Sequence, residues 1–132
     1  MALSFKIEHF AICVSDLERS IAWYKTCFGF EEVRRFEKTE FEIKAAVLKL
    51  DTFLLEIIQP ALPEKPLPEK RALNFHFRKT GVNHFSFTVT NVRSAFDSFK
   101  NSNPEFITEL MDGRYFFCTD PDGSLIEIKQ GK

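Results

Sequence analysis

Two histidines and two glutamates occupy matching places in the halves of the sequence: His9 and Glu56 in the first half, His84 and Glu127 in the second. Imidazole nitrogens and carboxylate oxygens bind divalent transition metals, and Zn, Ni, Mn, Co and Fe all accept such a set of donors. Pseudo-twofold packing of the halves would bring the four side chains together. The sequence therefore predicts one metal site with these four residues as its ligands.

An internal repeat relates the two halves. Residues 7–17 align with residues 82–92, and residues 54–59 align with residues 125–130. A glutamate considered alone is explained by a position on the solvent-exposed face of a strand. A histidine considered alone is explained by a position in the core where its ring nitrogens have hydrogen-bond partners. The repeat favours the metal site instead, because an early histidine and a late glutamate recur in both halves. A carboxylate between apolar strand residues is also costly to bury unless something compensates it.

Each half has the pattern of a strand, a helix and then further strands, which indicates an α+β fold. In the first half, Ser15 followed by Glu18 predicts the start of a helix, and Gly29 predicts its end. In the second half, Thr90 or Asn91 is predicted to cap the helix. Strands are predicted at residues 7–14, 32–36, 41–50, 53–58, 82–89, 106–110, 115–119 and 124–129.

The side chains of a strand alternate between its two faces, so the first strand of each half has an apolar face and a second face. His9 shares the second face with Ala11 and Cys13, and His84 shares it with Ser86 and Thr88. Both histidines are therefore predicted to point away from the side that packs under the helix.

A segment with several prolines separates the halves. We expect one domain over residues 1–132, made of module one at 5–59, a connector at 60–81 and module two at 82–130. The connector contains Pro60, Pro63, Pro66 and Pro68 and is predicted to be stiff and polar.

The composition excludes several classes of protein. A net charge of −1, from 18 basic and 19 acidic residues, gives no basic surface for nucleic acid or for a membrane. No apolar run approaches the length of a membrane span, and the first residues lack a signal-peptide pattern. The three cysteines are widely spaced, which does not suggest a disulfide framework. We therefore expect a cytoplasmic protein whose 16 phenylalanines build an aromatic core and a pocket for a small-molecule substrate.

The sequence resembles the vicinal oxygen chelate superfamily, which contains glyoxalases, bleomycin-resistance proteins and extradiol dioxygenases. The resemblance covers nearly the whole chain, and it is carried by residues 9–24, 28–30, 84–89 and 120–127. It implies paired βαβββ modules that form a curved mixed sheet around a metal cleft. Family members pair these modules within one chain or across a dimer, and we expect a homodimer here.

Having His9, Glu56, His84 and Glu127 together is most similar to glyoxalase I and its isomerase and epimerase relatives. This resemblance implies a lyase or isomerase that abstracts a proton next to a carbonyl, on a substrate like that of lactoylglutathione lyase or of an acyl-CoA epimerase. The metal would polarise the substrate oxygens while a carboxylate moves the proton. By position, Glu127 is the predicted mobile base, and Glu56 is its pseudo-symmetric partner.

Two positions differ from the glyoxalases that use glutathione. Those bacterial enzymes have an arginine four residues after the first ligand and an asparagine four residues after the second, whereas this chain has Cys13 and Pro60 there. Both differences argue against glutathione as the thiol.

Two alternative functions stay open. An iron-dependent extradiol dioxygenase resembles this chain at His9, His84 and Glu127 but typically lacks an acidic ligand at the position of Glu56. The other alternative is a metal-free protein that binds or sequesters a small hydrophobic molecule in a cleft lined by phenylalanines.

Overall fold

The computed structural model describes residues 3–64, 72–78, 80–102 and 104–132. The chain divides into two compact units, Met1–Lys65 and Pro66–Lys132. Part of the predicted connector, residues 65–71 and 79, lies outside the described residues. In the described part of the chain, none of the helices has the length and apolar character needed to cross a bilayer.

The described residues of the first unit contain one α-helix and four strands. In chain order they are β1 (Phe10–Cys13), α1 (Leu17–Phe28), β2 (Glu31–Lys38), β3 (Ile43–Leu50) and β4 (Phe53–Pro60). A short 3-10 helix at Thr39–Phe41 joins β2 to β3. The strands form one sheet with the order β1-β4-β3-β2. Strand β1 runs parallel to β4, and the other neighbouring pairs are antiparallel.

The second unit repeats the parallel pair on a three-stranded sheet with the order β5-β7-β6. Strand β5 is parallel to β7, and β7 is antiparallel to β6. Its elements are α2 (Leu73–His76), β5 (His84–Val89), α3 (Val92–Asn101), β6 (Tyr115–Thr119) and β7 (Leu125–Gln130). The predicted α+β class is confirmed.

One face of each sheet is covered by the helix of its own unit. Helix α1 packs on β3 and β4, where Leu48, Leu55 and Ile57 are fully buried. Helix α3 packs on β6 and β7, and the rings of Phe96 and Phe99 lie 5.3 and 5.8 Å from the ring of Phe116. Because side chains alternate along a strand, residues between these buried positions lie on the opposite face.

The helix ends follow the capping rules with one change of residue. Gly29 ends α1 in the left-handed conformation, with φ 84°, as predicted. The N-cap of α1 is Asp16 rather than the predicted Ser15, because the Asp16 carboxylate accepts the hydrogen bond from the Arg19 amide at 3.0 Å. At α3, Asn91 is the cap, and its side chain accepts from the Ser94 amide at 3.0 Å.

The strand predicted at residues 106–110 is replaced by an irregular segment. It contacts β6 through isolated bridges, Ile107 to Cys118 and Met111 to Tyr115. The Thr108 hydroxyl accepts a hydrogen bond from the Phe117 amide at 3.0 Å. Because a side-chain oxygen takes the place of a backbone carbonyl there, the ladder is interrupted.

Candidate metal-binding site

In the first unit, His9 and Glu56 lie on the face opposite α1. Glu56 is in the middle of β4 with Ala11 of β1 directly opposite, and His9 precedes β1 by one residue. The His9 Nε2 atom lies 3.2 Å from the Glu56 Oε2 atom, and the Glu56 side chain is only 16% exposed. The parallel pairing of β1 with β4 thus brings an imidazole nitrogen against a largely buried carboxylate.

The second imidazole nitrogen of His9 also has a partner. Its Nδ1 atom contacts the carboxylate of Glu8, the preceding residue. The ring therefore lies between two carboxylates, with Glu8 on the Nδ1 side and Glu56 on the Nε2 side. A histidine that binds a metal commonly gives its other ring nitrogen to a carboxylate or carbonyl, which fixes the orientation of the ring.

The second unit has the same register. Ser86 of β5 lies directly opposite Glu127 of β7, just as Ala11 lies opposite Glu56. His84 begins β5, two residues before Ser86 and therefore on the same face. The Ser86 hydroxyl donates a hydrogen bond of 2.8 Å to the Glu127 Oε1 atom. A carboxylate that contacts histidine in the first unit is thus held by a hydroxyl in the second.

The surroundings of His84 are aromatic. Its ring makes an edge contact with Phe117, with centroids 5.1 Å apart, and lies 6.1 Å from the ring of Phe77. Phe117 also contacts Tyr115 at 6.2 Å between centroids. The face that carries Glu127 therefore includes an apolar wall next to a polar centre, which is the usual composition of a small-molecule site.

The geometry of the first unit fits a divalent metal. Two donor atoms that are each ~2.1 Å from one ion and at right angles to each other lie about 3 Å apart. The 3.2 Å between His9 Nε2 and Glu56 Oε2 matches that separation. Among the described residues, no three or more His, Cys, Asp or Glu side chains are grouped so that they could hold a metal ion.

Two glutamines position the glutamate-bearing strands. Gln59 Oε1 accepts a hydrogen bond from the Leu17 amide at 2.8 Å, and Gln130 Oε1 accepts from the Val92 amide at 3.0 Å. Each bond satisfies an otherwise unpaired N–H in the first turn of a helix. Because each glutamine lies three residues after its glutamate, it connects the glutamate-bearing strand to the start of the helix. The repeat contained this signal, since both glutamines fall at matching positions.

His76 and Arg78, which precede β5, both contact aromatic rings. His76 is 8% exposed, its ring lies 4.5 Å from that of Phe106, and its Nε2 atom has no hydrogen-bond partner among the described residues. Arg78 lies over the ring of Phe75 at 5.2 Å.

An open groove of about 400 Å³ lies beside α1 in the first unit. Its lining includes Glu18 and Arg35, which form an ion pair, and Gln59, which caps α1. The Arg35 guanidinium holds the pKa of the Glu18 carboxyl below its usual value. The charges of Glu18 and Arg35 are thus paired with each other, and the Gln59 side chain is already hydrogen-bonded to the Leu17 amide.

The three cysteine thiols differ in exposure, which predicts an order of alkylation. Cys13 is exposed and is expected to react first. Burial raises the pKa of the Cys27 thiol, so less reactive thiolate is present at a given pH, and its labelling rate should keep rising at alkaline pH. Cys118 is buried and should react only after denaturation. Intact-mass analysis during timed alkylation checks this order, and early labelling of Cys118 would contradict the fold.

Comparison with known proteins identifies the family. Residues 6–128 match the Glyoxalase/Bleomycin resistance protein/Dioxygenase superfamily. Lactoylglutathione lyase of Schizosaccharomyces pombe is 27% identical over 142 aligned positions, which cover 95% of this chain but 47% of that protein. The chain thus spans about half the length of this relative. Mitochondrial methylmalonyl-CoA epimerase of Homo sapiens is 23% identical over 132 positions, covering 95% of this chain and 73% of that protein.

A solved structure shows the same fold. The trypanothione-dependent glyoxalase I of Leishmania major superposes with a TM-score of 0.76 at 22% identity, covering 96% of this chain and 87% of that one. This likeness agrees with the βαβββ modules that the resemblance implied. Since the family match extends over nearly all of the sequence, the chain belongs to the Glyoxalase/Bleomycin resistance protein/Dioxygenase superfamily.

Proposed function

We propose that the protein is a metal-dependent lyase or isomerase that moves a proton at the carbon next to a carbonyl. The ligands are His9, Glu56, His84 and Glu127, contributed by modules 5–59 and 82–130 of one domain. The observation that carries the proposal is the recurrence of a histidine and a glutamate at the same strand register in both units. In the first unit these two residues are already at the separation expected for ligands of one ion.

The names of the two relatives support a proton-transfer reaction. One is a lyase that acts on a glutathione adduct, and the other is an epimerase that acts on an acyl-CoA. An epimerase must remove a proton and return it to the other face of the same carbon, which requires a positioned acid–base group. The two carboxylates on the ligand-bearing faces are the groups available for that role.

The two carboxylates have different local partners, which supports different roles. When bound, the metal would supply positive charge beside the carbonyl oxygen of the substrate. Ser86 donates to Glu127 Oε1, so one oxygen of this carboxylate is hydrogen-bonded while the other can accept the proton. Glu56 instead contacts His9, which suits a residue that stays a ligand throughout. Glu127 is therefore the proposed base, and Glu56 is its pseudo-symmetric partner.

The substrate in this proposal is a small carbonyl compound with an apolar part. Phe77, Phe117 and Tyr115 supply the aromatic wall next to His84. Cys13 and Pro60 stand where glutathione-using bacterial enzymes have arginine and asparagine, so an acyl-CoA or another thiol adduct is favoured over a glutathione adduct. A homodimer in the reducing cytoplasm belongs to the same proposal and is consistent with three cysteines that are present as thiols.

Metal analysis combined with proton exchange tests the proposed function. Purified protein is loaded with Zn, Ni, Mn, Co or Fe(II) and analysed by elemental mass spectrometry, alongside Glu56→Gln. We expect about one metal per site in the wild type and weaker retention in the variant. The loaded protein is then incubated in D₂O with acyl-CoA, acylglutathione and α-keto thiol adducts, and deuterium incorporation next to the carbonyl is measured.

Three results would contradict the proposal. Failure of the wild type to bind any of the five metals would remove the site. Binding of a small hydrophobic ligand that a chelator leaves unchanged would identify a metal-free binding protein. Oxygen uptake with catechols under Fe(II) that survives Glu56→Ala would identify a three-ligand dioxygenase instead.

A further inference from the structure

In both units, the residue that precedes the histidine places a side-chain oxygen against the Nδ1 atom of the imidazole ring. In the second unit, His84 Nδ1 lies 2.7 Å from the side-chain oxygen of Asn83. In the first unit, His9 Nδ1 contacts the carboxylate of Glu8. Glu8 and Asn83 align in the repeat, although their side chains differ in charge. What they share is an oxygen that accepts a hydrogen bond.

The orientation of the Asn83 amide follows from its second hydrogen bond. Its Nδ2 atom donates to the backbone carbonyl of His76 at 2.8 Å. His76 is the last residue of α2, where helix carbonyls have no partner within the helix. A carbonyl can only accept, so the NH₂ group of Asn83 must face it. The amide oxygen of Asn83 therefore faces His84.

The tautomer of His84 then follows from the amide orientation. An amide oxygen has no proton to give, so the hydrogen of the contact must be on His84 Nδ1. In neutral imidazole the proton on Nδ1 leaves a lone pair on Nε2. A metal binds the nitrogen that carries the lone pair, and the hydrogen bond made by the other nitrogen decides which one that is.

We propose that Asn83 is a positioning residue that fixes His84 in the Nδ1–H tautomer and so keeps Nε2 available for the metal. The set of contacts runs from the end of α2 through the Asn83 amide to the His84 ring. His76 anchors the end of α2 because its ring is buried against Phe106. The use of Nε2 rests on the proposed metal site, whereas the tautomer is a property of the metal-free chain.

Nitrogen NMR of the metal-free protein measures the tautomer directly. Long-range ¹H–¹⁵N spectra of the three histidines are assigned with His9→Gln and His76→Gln. We expect His84 to show the Nδ1–H tautomer in the wild type. In Asn83→Leu we expect a shift toward the Nε2–H form, which free imidazole side chains prefer. Asn83→Asp keeps an acceptor oxygen and should keep the Nδ1–H form. Asn74→Leu, at an exposed asparagine of α2, is the matched control and should leave His84 unchanged.

Metal affinity, measured by competition with a chromophoric chelator, provides the second readout. Loss of a group that orients a metal-binding histidine typically weakens affinity on the order of 10- to 100-fold, and we expect that loss in Asn83→Leu but not in Asn74→Leu. Circular dichroism of each variant verifies that it is folded. The inference is overturned by an Nε2–H tautomer in the wild type, by a tautomer that Asn83→Leu leaves unchanged, or by an unchanged affinity. If the wild type binds no metal, the proposed function fails, and the tautomer spectra still decide whether Asn83 sets the state of His84.

Discussion

Replacement of Glu127 by glutamine is expected to lower kcat by about 10²- to 10⁴-fold, the usual contribution of a positioned general base. Glutamine has nearly the same shape, and its amide oxygen can still accept the hydrogen bond from Ser86. It cannot take a proton from carbon. The change therefore removes the proposed chemical step while keeping the local packing. The measurement is steady-state turnover of the substrate that gives deuterium exchange.

The matched control is Glu109→Gln, which makes the same chemical change at an exposed glutamate of the second unit. Its kcat and KM should equal those of the wild type. The kcat of Ser86→Ala should lie between those of Glu127→Gln and Glu109→Gln. This variant leaves Glu127 able to accept a proton but removes the hydroxyl that hydrogen-bonds to it. A Glu127→Gln variant that keeps full turnover with its metal bound would assign the proton transfer to another group.

Replacement of Phe116 by alanine is expected to reduce the free energy of unfolding by about 3–5 kcal/mol, as is typical of a large aromatic residue removed from a core. Phe116 is 0% exposed and contacts the rings of Phe96 and Phe99. These contacts attach α3 to the sheet that carries Glu127. Urea denaturation followed by circular dichroism gives the change in free energy.

Phe41→Ala is the control for this experiment, since Phe41 is 67% exposed. Its effect should stay within about 0.5 kcal/mol, as for most surface substitutions. The loss of unfolding free energy in Phe116→Leu should lie between those of Phe116→Ala and Phe41→Ala, because leucine leaves a smaller cavity than alanine does. Equal stabilities of Phe116→Ala and Phe41→Ala would mean that α3 does not pack on β6 as described.

The repeat made the strand positions of the candidate site predictable. His9 with Ala11, and His84 with Ser86, were predicted on the face away from the helix, and β1 and β5 have that orientation. The sequence could do this because the period of two in a strand decides a face without any knowledge of contacts. Whether the four ligands bind one ion stays a prediction.

Strand boundaries were harder to predict. The sequence predicted a strand from residue 7, but β1 begins at Phe10, and Leu3, Phe5 and Ile7 are exposed. A strand needs the hydrogen bonds of a neighbour, and β-propensity does not reveal where that neighbour ends. The strand predicted at residues 106–110 was also wrong. There the Thr108 hydroxyl accepts the hydrogen bond of the Phe117 amide and interrupts the backbone pairing with β6.

Sequence patterns did not predict the polar contacts around the candidate metal ligands. Glu8, Asn83 and Ser86 contact the imidazoles and the carboxylate through specific rotamers. Spacing along a chain indicates which face a residue occupies but not which nitrogen of a neighbouring ring it touches. Alignment of the two halves was the available signal, since a residue with an oxygen-bearing side chain precedes both histidines.

The glutamine caps have a consequence for how the chain reaches its folded state. Each cap joins the end of a late strand to the start of an early helix, over 42 residues in one unit and 38 in the other. The parallel strand pairs, β1 with β4 and β5 with β7, also connect residues within the same half of the chain. Loop closure over about 40 residues costs little more than over 20, because the entropy grows only with the logarithm of length. Each glutamine cap, together with the parallel strand pair beside it, therefore depends only on contacts within one half of the chain.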